Sequence, residues 1–146
     1  PADAARDELR HFLEDEQRRG RIRAYGVATS FEKLGTDASV YPPEYRVLQF
    51  DHCAMDGQIK RLSHAEDRAL ITFGAIARAA GLAQAKGMDL DSAAALLLRA
   101  ALDDHPQGMV LFATTCFEHL LANVRTAVRP PLTVAERNVL DLRLPA

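Results

Sequence analysis

Apolar and polar positions follow two rhythms along this chain. Four short apolar segments, at 21–28, 46–50, 69–73 and 108–112, each end in small or polar residues and are separated by stretches with helical spacing. Strands that alternate with helices build βα units around a parallel sheet. The pattern predicts an α/β fold: a parallel (βα)4 arrangement with an extra N-terminal and an extra C-terminal helix. Four units are half of a TIM (β/α)8 barrel, and a whole barrel takes roughly 250 residues. Half of a catalytic site is therefore expected to lie outside these 146 residues.

The helical stretches carry their own start and stop signals. Residues 4–19 place Leu9, Phe12 and Leu13 among acids and arginines, an amphipathic pattern that Gly20 stops. A short helix at 31–34 precedes the loop Tyr41-Pro-Pro-Glu-Tyr45, whose prolines cannot continue it. Further helices are predicted at 58–68, 76–84, 92–103 and 117–128. Asp89 to Ser92 supply a cap for the 92–103 helix, which is apolar nearly all round and so expected to be buried. Thr133-Val-Ala-Glu136 forms a capping box for a last helix running to about residue 142.

Composition narrows the class. The chain suits one domain, 1–146, with 48% hydrophobic and 26% charged residues, a soluble globular profile. Its net charge is −2, so no bulk field favours nucleic acid or an anionic membrane. The longest apolar run, 93–98, is far short of the roughly 20 residues that span a bilayer. The start is acidic and helical, unlike a signal peptide. Cys53 and Cys116 make no disulfide framework, and a reduced cytoplasmic setting is expected. The arginines at 18, 19, 21 and 23 read as a solvated helix end complementing the dipole.

In a barrel, functional residues sit where strands end. Here those positions hold Ala28, Thr29 and Ser30, then Gln49, Asp51 and His52, then Phe73 and Gly74, then Thr114 and Thr115. They suit binding of a polar ligand better than proton transfer. Cys116 and His119 are spaced as a nucleophile pair would be on a helix, but the nearest acid, Glu118, is expected on another face. The His and Cys residues form no paired ligand motif, so no metal site is expected.

Several segments carry a resemblance. Gly-Arg-Ile-Arg-Ala-Tyr-Gly-Val at 20–27, Val-Leu-Gln-Phe at 47–50, Ile-Thr-Phe-Gly-Ala-Ile at 71–76 and the stretch 110–123 are similar to the second half of an aldo-keto reductase. Pro-Leu-Thr-Val-Ala-Glu at 131–136 resembles the helix that closes many bacterial members. The resemblance implies a (β/α)8 barrel that reduces carbonyls with NADPH, sometimes NADH, the dinucleotide being held by loops of this half. It gives Gln49 to the nicotinamide carboxamide, Phe73 to ring stacking in place of a family Tyr, Asn123 to adenine and Thr114 to the adenosine phosphate. A polar residue satisfied inside the barrel mouth, a core Phe, an exposed helical Asn and a helix N-cap are the respective structural alternatives.

Departures from the family matter equally. Gly-Val-Ser-Asn after the first strand of this half is Gly-Val-Ala-Thr at 26–29, leaving Thr29 for the carboxamide. The basic clamp on a 2′-phosphate appears as Ala113 and His119, and a His does not replace the bidentate fork of Arg. The cofactor is thus NAD or NADP, without the usual NADP preference. The family's catalytic Asp, Tyr, Lys and His belong to the other half, so none is expected here and the chain alone lacks a general acid. The expected function is the cofactor-binding half of such an oxidoreductase, inactive alone. Its partners would be a nicotinamide dinucleotide and either the missing N-terminal half barrel or a second copy, since a half barrel leaves two open edges. The alternative is a noncatalytic half-barrel binding or assembly module that dimerises.

Overall fold

Four β-rich segments form an all-parallel sheet in the order β1-β2-β3-β4, with β1 at Tyr25–Ala28, β2 at Tyr45–Asp51, β3 at Ala69–Phe73 and β4 at Met109–Val110. The computed structural model describes the backbone of residues 2–140 and side chains from residue 7 onward. The predicted end of the last helix, at 142, lies outside the described residues. Strand β3 has its expected limits. Strand β1 starts later than 21, because the amides of Arg21 and Ile22 bond to the Glu16 carbonyl and wrap the preceding helix end instead. Strand β4 is shorter than 108–112. It joins the sheet beside Ile71 and Thr72, and β3 ends one residue later, before Gly74 turns away at φ 76°.

The register between β1 and β2 slips between Tyr25 and Gly26, so Arg46 is passed over. A Cβ at position 26 would overlap the Val47 carbonyl, which explains a glycine inside a strand.

Alternation sorts the strand residues onto two faces. Leu48 and Phe50 are buried against Phe31, Leu34 and Ala38. The first two of these are carried by α2 (Phe31–Leu34), a helix in its predicted place with Ser30 as N-cap. Helix α3 (Gln58–Arg61) stops well before 68, because the amide of Ser63 bonds to the Thr36 carbonyl and joins two loops. Helix α4 (Ala79–Lys86) follows the Gly74 turn. Helix α5 (Leu90–Asp104) begins directly after Asp89, whose carboxylate accepts from the Ser92 amide at 2.8 Å. As its all-round apolar pattern predicts, α5 forms the centre of the core: Ala93, Leu96 and Leu97 meet Ala79 and Leu82 of α4, and Leu98 meets Ala75. Helix α6 spans Phe117–Ala127 and α7 spans Val134–Leu140, the latter capped by Thr133 and Glu136 bonding to each other's amides. Helix α1 (Ala2–Arg18) leaves Leu9 and Phe12 more than half exposed, so its apolar stripe adds little to the core.

The opposite face of the sheet is open. Register puts Ala28, Gln49, Ile71 and Met109 in one row there, with Phe73 above it. Met109 is 55% exposed and Phe73 38%. Each outer strand, β1 and β4, has one strand neighbour among the described residues. No described helix is long and apolar enough to cross a membrane.

Candidate functional site

The carboxyl ends of the strands are put to two different uses. On the β1–β2 side they serve the fold. The Asp51 carboxylate accepts from the Phe31 amide at 2.6 Å, which starts α2, and the Ser30 hydroxyl accepts from the Lys33 amide. Thr29 donates its amide to the Gln49 carbonyl at 2.9 Å, continuing the sheet.

His52 does not reach the strand-end surface at all. It is 1% exposed, with Nδ1 3.1 Å from Gln58 Oε1 and Nε2 3.3 Å from Asp104 Oδ2. Lys60 Nζ approaches the other Asp104 oxygen at 3.5 Å. Beside them lies His105, its Nε2 3.0 Å from the Thr72 hydroxyl. Burial alone would raise the Asp104 carboxyl, but its His52 contact and the Lys60 charge overcome this and hold it below its ordinary value. Burial, with the nearby His52, pushes His105 down. His52 is buried beside Asp104 and His105, so its strand-end reading is corrected, although His52 Nε2, Asp104 Oδ2 and His105 Nδ1 have no hydrogen-bond partner among the described residues.

On the β3–β4 side the strand ends open into space. Between α4, α5 and α6 lies a cavity of about 350 Å³, floored by Ala79, Ala80 and Ala94 and reached by Asp91, Thr114, His119 and Asn123. A second cavity, of about 560 Å³, is lined by Phe73, Leu111 and Phe112. The two cavities are neighbours, with Ile76, Ala113 and Asn123 in the lining of both. His119 and Asn123 lie four apart on α6, which stacks them on one face. Of the predicted site residues, Thr114 and His119 line the first cavity, Phe73 lines the second, and Asn123 lines both. Gln49 and Thr29 line neither cavity and remain in the open sheet row and its edge.

Two local expectations are corrected. Neither Thr114 nor Thr115 is the N-cap of α6. That position is Cys116, and the Thr114 hydroxyl instead accepts from the Cys116 amide at 3.1 Å. Glu118 does not face away from Cys116, because the thiol donates to its carboxylate at 3.0 Å and holds that carboxyl below its ordinary value. The thiol is thus engaged by an acid, and the Cys116–His119 nucleophile pair does not form.

Sequence reasoning missed Asp91 and Thr126, which also line the first cavity. Asp91 stands in the first turn of α5, where an acid is explained by the helix dipole alone. Thr126 lies one turn beyond Asn123 on α6, a spacing that could have drawn it in. The lining of the first cavity contains no Lys or Arg, and that of the second contains no titratable side chain. Among the described residues, no three His, Cys, Asp or Glu side chains gather as a metal site would require. The lining of the first cavity is largely alanine, with a few polar groups.

No protein-family model and no curated protein matches the chain.

Proposed function

We propose that this chain is the cofactor-binding half of an oxidoreductase resembling the aldo-keto reductases, taking NAD or NADP and inactive by itself. The observation that carries the proposal is that Phe73, Thr114, His119 and Asn123 line two neighbouring cavities, with Asn123 in both. These residues come from β3, the loop after β4 and α6, and are ones that the resemblance gives to the cofactor.

The residues fit the group at both ends. The half-exposed Phe73 ring offers a face for a flat ring, and the Asn123 amide offers a donor and an acceptor to a heterocycle edge. The Thr114 hydroxyl reaches the same cavity, and Gln49 stands half-buried on the open sheet face. A bound reduced nicotinamide would supply a hydride. A developing alkoxide also needs a proton, and no acid lines the Phe73 cavity, so the general acid must come from outside this half. In this reading the open sheet face and the free edges of β1 and β4 belong to a complementary half barrel, which closes eight strands. Both cysteines are free, in keeping with the cytoplasmic setting that goes with the proposal.

Thermal-shift titration of the folded chain with NADH and NADPH tests this, with mass in solution measured alongside. Saturable stabilisation that weakens in Asn123→Ala and Gln49→Ala is the expected result. Absence of any shift from either nucleotide sinks the cofactor reading. An assembly module that dimerises is the second reading, favoured by the exposure of Met109 and Phe73 on the open face. A dimeric mass without nucleotide stabilisation would select it.

A further inference from the structure

We propose that Asp91 makes the cavity between α4, α5 and α6 select an adenine dinucleotide whose ribose 2′-hydroxyl is free, so that NADH is preferred over NADPH. This rests on the dinucleotide reading above and adds the residue that sets its specificity.

The charge inventory of the cavity carries the inference. Asp91 is the one acid among the residues lining it, and no Lys or Arg lines it to counter a phosphate. Asp91 complements the dipole of α5 from its first turn but has no side-chain partner among the described residues. Its neighbour Asp89 supplies the N-cap of α5, and none of the ion pairs among the described residues involves Asp91. The remaining walls are largely alanine, with His119 and Asn123 opposite on α6. At about 350 Å³ the cavity is small enough that a ribose held in it lies within the field of that carboxylate. A carboxylate accepts hydrogen bonds from a ribose diol, and the same carboxylate repels a 2′-phosphate, which carries up to two negative charges. A single residue thus both rewards the free hydroxyl and penalises its phosphate ester.

NADH and NADPH differ only in that phosphate, so direct titration of the full chain with each isolates the effect. The expected result is tighter binding of NADH by roughly tenfold. Asp91→Asn should bring the two affinities together, mainly by tightening NADPH. Asp67→Asn, which removes the same charge from a site outside both cavities, should leave their ratio as it was. NADPH binding as tightly as NADH to the unaltered chain would overturn the inference while leaving the dinucleotide reading intact, as would a ratio that Asp91→Asn does not change. Binding of neither nucleotide would overturn both.

Discussion

The two ends of α5 use the same residue type in opposite ways. At its C-terminal end, Asp103 and Asp104 have side chains only 3% and 4% exposed. Asp103 takes Arg99 at 2.9 Å, Arg137 at 2.8 Å and the Leu132 amide at 2.9 Å, tying α5 to α7 and the loop before it. Asp104 faces His52 and Lys60. At the N-terminal end, Asp91 is exposed, has no ion-pair partner among the described residues, and lines a cavity. A carboxylate withdrawn from water costs several kcal/mol unless partners replace its hydration. At the C-terminal end the chain supplies those partners in full for Asp103 and in part for Asp104, whose Oδ2 has no hydrogen-bond partner among the described residues. At the other it leaves the charge facing open space, where a ligand can meet it.

Breaking the satisfied end should have the largest effect. Asp103→Ala removes the acceptor for two guanidinium groups and an amide, and should lower unfolding free energy by about 3–5 kcal/mol in urea titration. Asp104→Asn is a gentler change that keeps the shape, and should cost about 1–2 kcal/mol. Its pH dependence has a definite sign. The carboxyl lies below its ordinary value of 3.8 when folded, so its contribution is complete above that value and lost as pH falls through the folded one. The stabilities of the variant and the unaltered chain should therefore converge in strong acid.

His105 sharpens the same comparison at milder pH. Its folded value is depressed below 6.5, so the unfolded chain takes up the proton first and stability falls as pH drops below 6.5. Melting temperatures measured downward from pH 8 should decline there. The decline should flatten in His105→Gln, and an unaltered slope in that variant would assign the titration elsewhere. Smallest of all is the effect of Asp91→Asn on folding. It gives up only a first-turn charge that complements the helix dipole, about 0.3–1 kcal/mol, so the melting midpoint should fall slightly while nucleotide preference changes.

Legibility followed the range of the interaction. The Asp89 cap and the Thr133–Glu136 box were readable because a side chain meets an amide three residues away. The burial of α5 was readable from its all-round apolar surface. The short β4 was not, since its length depends on where β3 lies beside it. Neither was the early end of α3, which depends on Thr36 meeting Ser63 across two loops. Within the site, His119 and Asn123 were readable as one face of α6. The burial of His52 was not, because its partner Asp104 comes from a distant helix.

The sequence by itself determined the alternation of strands and helices and the caps that start α5 and α7. These depend on backbone preference, side-chain period and contacts within a turn or two, all of which are local. Only the tertiary structure decided which polar residues the fold would consume. Asp51, His52, Asp103 and Asp104 found partners brought from elsewhere in the chain, whereas Asp91, His119 and Asn123 were left around a cavity. That division depends on which elements come to lie side by side, and no local pattern encodes it.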